Sequence, residues 1–72
     1  MDIERLRYMA DQIGKNFEAN GHDEAVAATA EHIRKFWDPR MRAQIFASDL
    51  APLSNTAREA IEQLMAAEKD AA

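Results

Sequence analysis

Two histidines, two serines and thirteen carboxylates are the side chains in this 72-residue sequence with the chemistry for proton transfer, nucleophilic attack or metal binding. Their spacing assembles none of these. His22 and His32 stand ten residues apart, with no second imidazole or carboxylate at a metal-ligand spacing. Glu31 adjoins His32, but neighbours on a helix point about 100° apart. Both histidines therefore read as ordinary surface residues. No nucleophile motif surrounds Ser48 or Ser54, and Ser54 reads as a helix cap. Gly14 and Gly21 are the only glycines, too few for a phosphate-cradling loop. There is no cysteine, which excludes disulfides, thiol catalysis, Cys-ligated zinc and Cys-ligated iron–sulfur clusters. A chain this short rarely spares a concave pocket of a few hundred Å3 (about 300 and upward). The reading is of a protein without catalytic, cofactor or metal residues of its own.

Charge is the next signal. Residues 34–42 hold Arg34, Lys35, Arg40 and Arg42 against Asp38, a local +3, while the remainder carries a net −7. Such a basic spot on an acidic body suits an acidic protein surface. It suits nucleic acid poorly, because the whole chain is at −4 and Arg40 and Arg42, two apart, face different sides of a helix. A helix-turn-helix-like DNA-binding regulator is thus a distant third reading.

The elements that position these residues are helical. Ile3, Leu6, Met9 or Ala10, Ile13 and Phe17 recur at steps of three and four, one face of a first helix. Asp2 caps it, and Asn20-Gly21 ends it with Gly21 in the left-handed C′ position. Asp23 is the expected cap of a second helix striped by Val26, Ala30, Ile33 and Trp37. A residue before proline is pushed out of the α region, so this helix stops near Trp37. Asp38 caps a third helix and Pro39 occupies its first position, where a missing N–H costs nothing. That helix carries Met41, Ile45, Phe46 and Leu50 before Pro52 closes it. Ser54 caps a fourth, with Ala57, Ala60, Ile61, Leu64 and Met65. The tail from Glu68 is expected to fray. The fold class is all-α: one domain, residues 1–72, of about four short helices.

Of the 34 residues counted as hydrophobic, 15 are alanine, and Leu, Ile, Val and Phe number 13. A core built from so little leaves thin stability at this length. The large apolar side chains also come as adjacent pairs: Tyr8-Met9, Phe36-Trp37, Ile45-Phe46 and Leu64-Met65. A wide core-facing stripe absorbs most such pairs. Phe36-Trp37 is the exception, since it sits at a helix end and contains the only Trp, a favoured interface anchor. One ring is expected in the core and the other on a partner. Arg40 lacks a structural reason as well, because a cation at a helix start opposes the dipole. Phe36, Trp37, Arg40, Met41 and Arg42 are therefore the candidate partner contacts, with Arg40 pairing a carboxylate of the partner. Asp38 and Pro39 shape the turn. No apolar run reaches the roughly 18 residues of a membrane span, and the N-terminus lacks a basic region followed by an apolar stretch. Cytoplasm is the expected compartment, with no membrane association. A homodimer through the same apolar surface stays open.

The run Tyr8-Met9-Ala10-Asp11-Gln12-Ile13-Gly14, then His32-Ile33-Arg34-Lys35-Phe36-Trp37-Asp38-Pro39-Arg40-Met41-Arg42, then Leu53-Ser54, resembles the delta subunit of NAD-dependent, molybdenum- or tungsten-containing formate dehydrogenases. Asp11 stands where that family usually has Asn. The likeness spans nearly the whole chain, and Phe36 through Met41 is its most specific part. The resemblance implies a cytoplasmic complex whose alpha subunit oxidises formate at a bis-molybdopterin guanine dinucleotide centre. Electrons then pass through iron–sulfur clusters to FMN and NAD in the beta and gamma subunits. It implies that the delta subunit carries no cofactor and supports assembly or stability, with the larger subunits, above all alpha, as partners. The second expectation is a transient assembly factor for the metal-cofactor subunit, which would leave the finished enzyme.

Overall fold

The computed structural model describes the backbone of residues 2–71 and the side chains of residues 2–69. Four α-helices follow in order: α1 (Ile3–Phe17), α2 (His22–Phe36), α3 (Pro39–Phe46) and α4 (Asn55–Ala71). A 3-10 turn, Glu18–Asn20, extends α1. No strand occurs among the described residues. The chain is an all-α bundle in which α1, α2 and α4 pack on one another and the short α3 lies against α1. Its radius of gyration, 11.1 Å, matches the roughly 11 Å of a folded chain of this length.

Helix boundaries follow the capping chemistry. The Asp2 carboxylate accepts from the Glu4 amide at 3.1 Å and starts α1. Gly21, at φ 97°, turns the chain between the 3-10 segment and α2. An L side chain rarely adopts that conformation. This turn corrects the expected cap of α2. Gly21 holds the cap position, the helix begins at His22, and Asp23 falls in the first turn beside Glu24, where both favour the dipole. At the other end Trp37 and Asp38 are extended, as a residue preceding proline should be. The Asp38 carboxylate accepts from the Met41 amide at 2.9 Å, and Pro39 opens α3.

Helix α3 stops at Phe46, four residues before Leu50 and well short of Pro52. Ser48 and Asp49 compete for the backbone there. The Ser48 hydroxyl donates to the Ile45 carbonyl at 2.7 Å, and the Asp49 carboxylate accepts from the Ala51 amide at 3.0 Å. The resulting loop is fastened to α1. Arg7 donates twice to the Asp49 carbonyl, at 2.9 and 3.1 Å. Asp11 accepts from the Ser54 amide at 2.9 Å while the Ser54 hydroxyl accepts from the Ala57 amide at 3.3 Å. An Asn at position 11 offers the same acceptor oxygen, so this bond does not depend on the substitution. Helix α4 runs through Ala71, so the segment from Glu68 is helical; Ala72 lies outside the described residues.

One core cluster joins all four helices: Leu6 and Ala10, then Val26, Ala30 and Ile33, then Ile45, then Ala57, Ala60, Ile61 and Leu64. Trp37 and Leu53 complete it from the connecting segments. Small residues set the closeness of α1 and α4. A Cβ on Gly14 would lie 3.2 Å from the Thr56 methyl, tighter than ordinary contact.

Candidate functional site

The signature segment divides at Phe36-Trp37. Trp37 is 4% exposed and belongs to the core, whereas Phe36 is 71% exposed. The physical cause is the helix end. Phe36 is the last residue of α2 and Trp37 already has extended backbone, so consecutive rings leave the helix in different directions. One ring inside and one outside is the division the sequence led one to expect; Trp37, also named as a partner contact, is the inner ring and reaches the surface only as part of the groove lining.

The two arginines of α3 divide in the same way. Arg42 turns inward, its side chain only 20% exposed. It donates to the Trp37 carbonyl at 2.7 Å and, at 3.4 Å, to that of Arg34, and it lies 3.4 Å from the Glu68 carboxylate. The last carbonyls of a helix lack intrahelical partners, so Arg42 serves as a C-terminal cap of α2. This replaces its expected role as a partner contact. Arg40 is exposed, and its side chain has no partner among the described residues. The basic charge of α2's end is partly spent: Glu31 lies 2.5 Å from Arg34 and 3.5 Å from Lys35. The hydrogen bond from Arg34 holds the Glu31 carboxyl below its ordinary range, and the same bond raises Arg34. Met41 is half-buried, with Asp38 and Pro39 in the turn before it.

Beside Phe36 the surface is concave. A groove of about 350 Å3 opens between α1, α2 and α3. Helix α1 contributes Tyr8, Met9, Gln12 and Ile13; α2 contributes His32 and Phe36; Trp37 and Met41 complete the lining. The sequence argued against a hollow of this size in so short a chain. It lies where the short α3 packs against α1. Its lining is mostly hydrocarbon and ring, and Tyr8 is 64% exposed. His32 and Phe36, one turn apart, make a tilted ring contact, with centroids 4.7 Å apart and planes 45° from parallel.

Of the candidate contacts, then, Phe36, Trp37 and Met41 meet in this groove, Arg40 lies exposed one residue before Met41, and Arg42 points elsewhere. The sequence reading missed the contribution of α1. Its signal was present in the Tyr8-Met9 pair, which was assigned to a wide core stripe; Met9 is half-buried and Tyr8 is not. Ile45-Phe46 does fit that stripe, with Ile45 buried and Phe46 half-buried.

No other part of the described surface suggests chemistry. His22 is exposed and sits 2.6 Å from the Glu59 carboxylate, joining the start of α2 to α4. Among the described residues no group of three or more Asp, Glu or His is placed to hold a metal ion, and no helix is long and apolar enough to cross a membrane.

The fold and the site define a small all-helical bundle with an open apolar groove and, one residue before Met41 of its lining, an arginine without a partner among the described residues. Residues 5–61 match the family described as NADH-dependent formate dehydrogenase delta subunit, FdsD. That match covers most of the 72 residues, and the chain belongs to this family. No curated protein and no solved structure matches it.

Proposed function

We propose that this chain is a non-catalytic accessory subunit of a formate dehydrogenase complex, binding the larger subunits, above all alpha, and stabilising their assembly. The observation that carries it is the family membership of residues 5–61. The exposed apolar groove at Tyr8 and Phe36 supports it, since unfilled apolar surface flanked by polar residues marks protein-interaction sites. A chain without cysteine offers no Cys-ligated iron–sulfur site, which accords with the complex's clusters lying in the partner subunits. Cytoplasm remains the proposed compartment.

Co-expression with the larger subunits tests the proposal. An affinity tag on this chain should retain them through size exclusion at constant stoichiometry in the active enzyme. Loss of this chain from active enzyme would point to a transient assembly factor. Failure to associate at any stage would end the accessory role.

A further inference from the structure

Two cations stand close to groove-lining residues in the chain without themselves lining the groove. Arg5 lies one turn before Tyr8 and Met9 on the same stripe of α1, and Arg40 precedes Met41 at the start of α3. Both are exposed, and neither side chain has a partner among the described residues. Two nearby carboxylates are engaged elsewhere: Asp38 accepts the Met41 amide, and Glu31 holds Arg34 and Lys35.

We infer that the groove receives an amphipathic helix of a larger subunit, with apolar side chains entering between Tyr8 and Phe36 and carboxylates at its flanks meeting Arg5 and Arg40. This holds only if the chain is an accessory subunit as proposed above. Three features select this occupant. The lining is mostly apolar, its polar groups being Gln12, His32, the Tyr8 hydroxyl and the Trp37 indole N–H, so an extended segment would leave most of its backbone donors and acceptors without protein partners. A helix satisfies its own backbone and presents residues at steps of three and four to such a groove. Arg5 and Arg40, close in the chain to the groove residues of α1 and α3, are positive and without partners among the described residues, which locally favours carboxylates over a basic segment. A second copy of this chain would present the same arginines instead of carboxylates, which disfavours self-association through this face.

The test uses the tagged chain co-expressed with the larger subunits. Tyr8→Ala with Phe36→Ala, and Arg5→Glu with Arg40→Glu, all lie on exposed positions, and circular dichroism melts should match the parent. Each pair should weaken retention of the larger subunits by about tenfold or more, the scale of interface anchors. Retention by the parent chain should fall as salt rises, and the charge-reversed variant should lose that dependence. Benzoylphenylalanine at position 36 should cross-link, on illumination, to a segment with apolar residues three and four apart between Asp or Glu. Full retention by both double variants overturns the inference and leaves the accessory role standing. A cross-link to another copy of this chain, or to a basic segment, also overturns it. If the unsubstituted chain retains nothing, the accessory role itself fails.

Discussion

Helix α1 has two differently packed sides. Toward α4 it offers Gly14, and the helices approach until a single added carbon would crowd the Thr56 methyl at 3.2 Å. Toward α2 and α3 it offers Tyr8, Met9, Gln12 and Ile13, and a groove of about 350 Å3 remains. Small residues let backbones meet and close the interior. On the other side larger side chains line a space that they do not fill. The closed side supplies stability, and the open side supplies surface for a partner. In a chain of 72 residues both must come from the same helices.

Neighbouring positions on the two sides should therefore respond differently. The largest effect is expected at the signature pair. Trp37→Ala removes a ring 4% exposed and should cost about 3–5 kcal/mol, enough to unfold a domain of marginal stability. Phe36→Ala should leave the urea midpoint nearly unchanged. Equal losses for the two would erase the distinction between core ring and groove ring.

On α1 itself, Gly14→Leu drives a side chain into the closed side and should cost about 1–3 kcal/mol or more, as overpacking does. Gln12→Leu, in the groove, should leave the melting temperature within about 2 °C of the parent, because it adds no clash and favours the helix slightly. Destabilisation by Gln12→Leu would mean that the groove is already closed.

The arginines of α3 sharpen the contrast further. Arg42→Ala leaves the α2 carbonyls without their cap and should cost about 1–2 kcal/mol in chemical denaturation. Arg40→Ala should be silent in the same assay, since nothing among the described residues holds it.

The smallest effect belongs to Glu31. Its carboxyl is held below the ordinary range, chiefly by the Arg34 hydrogen bond, so its pairing stabilises the fold at neutral pH and fades as pH falls through that lowered value. The pair is exposed, which keeps the contribution small. Glu31→Gln should lower the melting temperature slightly at pH 7, and the difference should vanish in acid. A difference that grew in acid would reverse the assignment.

Much of the fold was legible in the sequence because it is local. Steps of three and four gave α1, α2 and α4. Asp2, Asp38-Pro39 and Ser54 marked helix starts through bonds spanning two or three residues. The same kind of evidence misplaced the start of α2, since Gly21 and Asp23 are both acceptable caps and the turn geometry chose Gly21. It also overran α3, where the hydrogen bonds of Ser48 and Asp49 ended the helix before Pro52.

The composition, the missing cysteines, the helical periodicity and the family signature belong to the sequence alone, because each depends on residue identity or on neighbours within a turn or two. The direction of Trp37 against Phe36, of Arg42 against Arg40, and the groove itself were decided only by the tertiary structure. Those depend on how far apart three helices stand, a distance set by side chains distant in sequence, such as Gly14 against Thr56 and Arg42 against Glu68. Local spacing carries no record of it.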